Sequence, residues 1–126
     1  QVADSMLRML EMASGPEGTA IKAQVQGYRV AGKTGTAHKQ EGGRYINKYV
    51  SSYVGLAPVS DPRVIVAIMV DEPKNGVYYG GLVAAPVFST ITKSVLTRLN
   101  VQPDAIESTE QLRKFVSAPS GGGRPM

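Results

Sequence analysis

Three strand-length segments rich in β-branched and aromatic residues follow one another with only short turns between them, and that spacing restricts the fold severely. Tyr28 to Ala37 reads as the first strand. Tyr45 to Ala57, carrying Tyr49, Val50, Tyr53, Val54 and Leu56, reads as the second, and Val64-Ile65-Val66-Ala67-Ile68-Met69-Val70 as the third. Gln40-Glu41-Gly42-Gly43-Arg44 and Asp61-Pro62 supply polar turns, while Pro58 and Glu72-Pro73 close the second and third strands. Parallel neighbours need a crossover of about a dozen residues or more, usually a helix. These connections are far shorter, so antiparallel pairing is expected.

Helical patterns flank the strands. Val2, Met6, Met9, Leu10 and Ala13 share one helical face, Asp4 and Arg8 pair at i,i+4, and Ser14-Gly15-Pro16 ends the repeat. Met6, Met9 and Met12 lie on or near that apolar face and are expected in a core. From Thr19 to Gln26 a weak alternation suggests an extended approach segment before Gly27. Lys74-Asn75-Gly76 turns again and leads through Tyr78-Tyr79-Gly80-Gly81 into a closing helix from about Leu82 to Asn100. There Pro86 holds a permitted early position, and Val83, Val87, Ile91, Val95 and Leu99 recur at i+4, joined by Phe88 and Leu96. Asp104 to Val116 reads as a weak short helix, and Ser117 to Pro125 as a flexible tail. The domain is therefore drawn over residues 1–104, with 105–126 a weakly structured to disordered tail.

Composition narrows the function classes. With 42% hydrophobic and 19% charged residues in 126, the chain is a globular unit or a piece of a larger one. Its net charge of +4 comes from scattered residues, and no basic cluster interleaved with aromatics points to nucleic acid. No cysteine is present, which excludes disulfides, thiolate metal sites and a cysteine nucleophile. The longest apolar run, Val64 to Val70, has seven residues, far short of the ~20 that cross a bilayer. The opening Gln1-Val2-Ala3-Asp4, without methionine, fits a fragment or processed piece.

The first strand carries the chemistry, and it supports two readings. Gly27 to Thr34 satisfies the phosphate-binding pattern G-x-x-x-x-G-K-[ST], and Val66 to Asp71 resembles the apolar strand ending in an acid that holds Mg²⁺ in nucleotide hydrolases. That cradle needs a helix beginning at Lys33-Thr34. Gly35, Thr36 and Ala37, then Gly42-Gly43, leave room for none, and Tyr28, Arg29 and Val30 are bulky strand formers. Read one residue on, Lys33-Thr34-Gly35-Thr36 is a K-T-G element of acyl-transfer sites. Glycine inside a strand weakens it unless something approaches the backbone closely. Gly35 would let a ligand lie against the strand, Lys33 would supply a positive charge for a carboxylate, and Thr34 and Thr36 would add hydroxyls. The Thr36 N–H can point at an oxygen that becomes negative in a tetrahedral intermediate.

Ala23 to Ala37, Arg44-Tyr45-Ile46-Asn47-Lys48-Tyr49, Gly55-Leu56-Ala57-Pro58, Asp61-Pro62-Arg63, Tyr78-Tyr79-Gly80-Gly81 and Ala85-Pro86-Val87-Phe88 follow one another as they do in class B penicillin-binding proteins. Over roughly Gln1 to Asp104 the chain resembles the FtsI-like cell-division peptidoglycan D,D-transpeptidases of Gram-negative bacteria. The resemblance implies a mixed α/β (α+β) penicillin-recognising fold, in which helices sandwich a five-stranded antiparallel sheet, with this chain as its C-terminal part. It implies an enzyme that acylates a serine with a D-Ala-D-Ala stem peptide, releases D-alanine and passes the acyl group to an amine, and that β-lactams block. It also implies that Lys33, Thr34 and Thr36 bind the substrate or drug carboxylate, with Gly35 among the substrate-binding residues, that the Thr36 amide forms half of the oxyanion hole, and that Tyr78 and Tyr79 line the cleft.

The pattern is incomplete. No serine has lysine three positions later or asparagine two positions later, so the nucleophile motif S-x-x-K and the companion S-x-N are absent. The catalytic serine is expected upstream of Gln1, and the isolated chain is expected to be inactive. The intact protein is expected in the periplasm, tethered to the inner membrane by an N-terminal segment, with divisome proteins as partners and no cofactor, metal or nucleic acid. This segment itself is not expected to contact the membrane. Alternatives are a noncatalytic peptidoglycan- or partner-binding module, a β-lactamase or D,D-carboxypeptidase relative and, more distantly, a P-loop nucleotide-binding protein. His38, the single histidine, reads as a solvated loop residue. Asp71 and Glu72, on opposite sides of a strand, read as solvation of its end rather than an acid/base pair.

Overall fold

The computed structural model describes residues 1–105 and 117. Its elements run α1 (Val2–Ala13), a 3-10 turn (Ile21–Ala23), β1 (Ala31–Glu41), β2 (Arg44–Ala57), β3 (Val64–Asp71), α2 (Gly80–Val83) and α3 (Ala85–Arg98). Most of the expected weak helix and tail, from residue 106 onward, lies outside the described residues apart from Ser117.

The strands form one antiparallel sheet in the order β1-β2-β3. Among the described residues it has three of the five strands that the resemblance implies. The β1–β2 connection is tighter than expected: Glu41 still pairs with Arg44, and only Gly42 and Gly43 turn, with φ of 59° and 75°. Positive φ at both central residues is what a two-residue type I′ hairpin requires, and glycine adopts it without a Cβ clash. Because β3 ends at the Val50–Asp71 pair, the β1–β2 hairpin runs on alone as a two-stranded arm.

The approach to β1 corrects the expected extended segment. Ala20, Ala23 and Val25 all face inward, and the chain meets that spacing with the 3-10 turn. Lone small apolar residues in weak alternation do not separate a strand from such a turn. Val25 then bridges to Tyr28 around Gly27 at φ 87°, so β1 begins at Ala31 rather than Tyr28. The Tyr28 hydroxyl, turned inward, donates to the Val101 carbonyl at 2.7 Å.

One face of the sheet is covered. Ser51, Tyr53 and Ala57 of β2 are fully buried, and Val64, Val66 and Ile68 of β3 pack beside them under α3. The opposite face carries Val54, Ile65 and Met69, exposed by 48%, 74% and 75%. This two-sidedness is invisible in the continuous apolar run of β3, whose residues alternate half-buried and exposed.

The closing helix is broken and rotated relative to expectation. Pro86 has no N–H to give to Leu82, and the chain divides into α2 and α3 around Ala84. Its buried residues are Ala85, Phe88, Thr92 and Leu96, while Val87, Ile91 and Leu99 are exposed. A strict i+4 series drifts by ~40° per step around the helix, so a five-membered series cannot stay on one inward face. Nor are Met6, Met9 and Met12 in a core: no residue of α1 is buried.

Phe88 centres the packing. Its ring meets Tyr53 edge-on at 4.7 Å, and a Cβ on Gly55 would come within 2.8 Å of it. We predict that Phe88→Ala lowers the unfolding free energy by ~3–5 kcal/mol, the range for an emptied aromatic site, in urea denaturation. A loss below about 1 kcal/mol would show that the ring does not organise the core.

Candidate functional site

β1 is an edge strand, and the residues Lys33, Thr34, Gly35 and Thr36 lie in its middle, paired with Val54, Tyr53, Ser52 and Ser51 of β2. No helix starts at Lys33-Thr34, since the strand continues to Glu41. The phosphate-cradle reading therefore lacks its helical N-terminus.

Alternation divides the string between two faces. Thr34 and Thr36 share the covered face with Tyr53 and Ser51, and Lys33 and Gly35 share the other with Val54 and Ser52. On the covered face, Gly80 at the start of α2 donates its N–H to Thr36 Oγ1 at 3.1 Å. A Cβ on Gly80 would strike the Ser52 and Gly35 carbonyl oxygens. Gly81 lies equally close to the Thr19 carbonyl, and the Thr19 and Thr34 hydroxyls approach to 3.3 Å. Close backbone approach thus does occur at Gly35, and the backbone that approaches is that of Gly80. On the opposite face Gly35 also makes room for the Ser52 hydroxyl.

Lys33 is exposed, and its ammonium reaches only the carbonyl and hydroxyl oxygens of Thr34, at 3.3 and 3.4 Å. No carboxylate among the described residues pairs with it. Lys39 is the opposite case. It contacts Asp71 at 2.7 Å and Glu72 at 2.9 Å, and Lys48 stands 3.7 Å from Glu72. Glu72 takes φ 50°, which turns its side chain so that both carboxylates converge on Lys39 instead of pointing apart. The hydrogen bond from Lys39 holds the Glu72 carboxyl below its ordinary range, and the bonds to Asp71 and Glu72 raise the Lys39 ammonium.

Tyr78 and Tyr79 come to the same place as the string. Ser51 Oγ donates to the Tyr78 carbonyl, which fixes the segment entering α2. The Tyr78 ring stacks on Tyr49 at 3.9 Å and 8°, and Tyr79 tilts against Tyr78 at 4.6 Å. Hydrogen bonding to Tyr78 pushes the Tyr79 phenol up. His38 contacts Tyr49 at 4.5 Å and Tyr45 at 5.9 Å, so it belongs to an aromatic group rather than a bare loop. Of the six sequence-predicted site residues, Thr36 meets the start of α2 through Gly80 and shares the covered face with Thr34, Tyr78 lies on Ser51 and Tyr49 with Tyr79 against it, and Lys33 and Gly35 stand on the other face. Thr19, Tyr49, Ser51 and Gly80 were missed in those roles. The Gly80-Gly81 pair was a readable signal of close packing, whereas Thr19 gave none.

A hollow of about 790 Å³ opens elsewhere, between the end of α1, residues 24–30 and Ala105. None of the six site residues lines it. Lys33 and Thr36 are exposed and Thr34 and Gly35 half-buried, and no group of three His, Asp or Glu side chains among the described residues is placed to hold a metal.

Residues 1–93 match the family profile described as the penicillin binding protein transpeptidase domain. The chain is 48% identical over 106 residues to the peptidoglycan D,D-transpeptidase FtsI of Buchnera aphidicola subsp. Baizongia pistaciae, covering 83% of this chain and 18% of that protein. To FtsI of Escherichia coli K12 it is 42% identical over 122 residues, covering 95% and 21%. The apo TP domain of penicillin-binding protein 3 from Burkholderia pseudomallei superposes with a TM-score of 0.76 at 48% identity, over 82% of this chain and 32% of that one. The chain thus spans about a fifth of the length of these curated relatives.

The Lys39 cluster gives a pH prediction. A carboxyl whose folded pKa is depressed contributes stability that is fully present above its unfolded value, about 4.3 for Glu, and is lost as pH falls through the folded value. Lys39→Gln should move the Glu72 titration upward toward the ordinary range, followed by NMR of the side-chain carboxyl. An unmoved titration would assign the effect to Lys48.

Proposed function

The chain belongs to the penicillin-binding protein transpeptidase domain family, and from that membership we propose that it forms the Lys33-Thr34-Gly35-Thr36 wall of a serine D,D-transpeptidase site. The observation that carries this reading is an exposed lysine on an edge strand, without a carboxylate partner among the described residues, with Gly80 bonded to Thr36 of that strand and Tyr78 held on Ser51 and Tyr49 of the neighbouring β2. The substrates are peptidoglycan stem peptides ending in D-Ala-D-Ala, and β-lactams occupy the same place. A serine supplied by the rest of the protein attacks the penultimate carbonyl, D-alanine leaves, and an amine of a second stem takes the acyl group.

Each residue has a part in that sequence. The Lys33 ammonium attracts the terminal carboxylate, whose charge no neighbouring acid competes for. Thr34 and Thr36 add hydroxyl donors, and Gly35 keeps the strand low where the peptide lies. An edge strand leaves the N–H of every second residue without a partner strand. The Thr36 N–H is assigned as one oxyanion donor, its partner coming from the serine's own amide. Tyr78 and Tyr79 form the apolar side of the cleft. The intact protein would work outside the cytoplasm in septal wall synthesis, tethered to the inner membrane by another segment and accompanied by division proteins. No helix among the described residues is long and apolar enough to cross a membrane.

Fluorescent penicillin tests the reading. The isolated chain is expected to remain unlabelled, while the protein with its remaining transpeptidase sequence labels at a serine outside these residues. A covalent adduct on the isolated chain would overturn the division of labour. In the longer protein, Thr36→Pro removes the assigned amide and should slow acylation by ~10²–10³-fold, the usual effect of losing one oxyanion donor. Unchanged acylation would remove Thr36 from the oxyanion hole.

A further inference from the structure

The aromatic contacts do not stop at the cleft. They continue from Tyr79 through Tyr78, Tyr49 and His38 to Tyr45 on the protruding β1–β2 arm. The inner rings pack on one another, but Tyr45 at the far end is 72% exposed and held only by the edge of His38 among the described ring contacts. No core requirement explains a large ring in that position.

The register says what lies beside it. His38 pairs with Tyr49 and Gln40 with Tyr45 across a bulge in which residues 46–48 stand opposite Lys39, so the paired residues His38, Gln40, Tyr45 and Tyr49 share the face on which Thr36 stands. Arg44 and Lys48 alternate to the other face, with Lys48 directed at Glu72. The arm thus offers an aromatic plane flanked by the Gln40 amide, with Lys39 and Lys48 directed at Asp71 and Glu72 and Arg44 on the other face. A pyranose ring, with a face of C–H bonds and a rim of hydroxyls, matches that combination of plane and hydrogen-bonding groups.

We propose that Tyr45 and the amide of Gln40 opposite it form a saccharide subsite for the glycan end of the stem peptide bound at Lys33–Thr36. The proposal rests on the transpeptidase reading. Spacing supports it: Gln40, opposite Tyr45, lies four residues beyond Thr36, or ~13 Å at the rise of a strand. An extended stem of about four or five residues spans ~13–18 Å, so a peptide with its D-Ala-D-Ala end at Thr36 brings its sugar to the arm.

The test uses the longer, penicillin-labelling protein and two competitors, a D-Ala-D-Ala stem peptide alone and the same peptide carrying its disaccharide. Retardation of fluorescent penicillin labelling is the readout. The disaccharide form should compete at concentrations about tenfold lower, the size of one good ring contact. Tyr45→Ala should erase that difference while leaving labelling without competitor within about twofold, and Tyr45→Trp should preserve it. Equal competition by the two compounds in the unaltered protein, or a difference that survives Tyr45→Ala, overturns the subsite. Absence of labelling altogether would instead defeat the transpeptidase reading on which it rests.

Discussion

The seating of Phe88 against Gly55 and Tyr53 is the contact on which the rest of this structure depends. The ring occupies the space that a Cβ at Gly55 would fill, and Gly55 pairs across the sheet with Gly32, where a Cβ would collide with Tyr53. Two glycines facing each other in adjacent strands weaken a sheet locally. Here they let one aromatic from the helix and one from the strand share a fully buried layer. Tyr53 carries the contact outward, because its hydroxyl lies 2.7 Å from Ser14 Oγ and Ser14 also reaches the Gly32 carbonyl. The end of α1, the K-T-G strand and α3 are thereby joined through one buried hydrogen-bonded phenol. Burial raises that phenol's pKa, so it remains a protonated partner well into alkaline solution.

From that layer the seating of α2 on the K-T-G strand follows. With α3 fixed over β2, the short α2 that precedes it must begin directly above β1, and only glycine at position 80 fits there. The N–H of Gly80 then meets Thr36 and the Tyr78 carbonyl meets Ser51, so the approach to α2 is anchored to both strands of the hairpin. At the other end of the approach, Arg29 has its N–H on Asp104, its carbonyl on the Val59 N–H and its guanidinium bidentate on Glu11. The strand entering the K-T-G string is thus fastened by three separate segments just before it.

Much of this was legible in the residues, and the failures have physical causes. Turn lengths gave the antiparallel sheet because short connections leave no alternative geometry. The K-T-G reading prevailed because Gly35 and the turn glycines denied a helix after Thr34. The inward face of α3 is hidden in the sequence because Val87 and Ile91 are as apolar as Phe88, and a regular i+4 series says nothing about drift around the axis. Asp71 and Glu72 were assigned to opposite sides because alternation presumes an extended backbone, and the positive φ of Glu72 breaks it. Pairings such as Ser14 with Tyr53, or Asp104 with Ser60, join residues far apart in sequence, and single-chain periodicity carries no such information.

The charges show what a fold can do with identical residue types. Lys33 and Lys39 lie on the same strand, yet their environments differ in kind. Lys39 sits on the arm where Asp71 and Glu72 end β3, and its charge is absorbed in fixing the base of the arm to the sheet. Lys33 sits on the edge strand, where its ammonium reaches the Thr34 oxygens and no carboxylate among the described residues. A cation whose charge is already taken up by neighbouring acids attracts an incoming anion less than one without them. The placement of acids at the end of β3, and their absence around Lys33 among the described residues, therefore separates a lysine that fixes the arm from one left without a carboxylate partner.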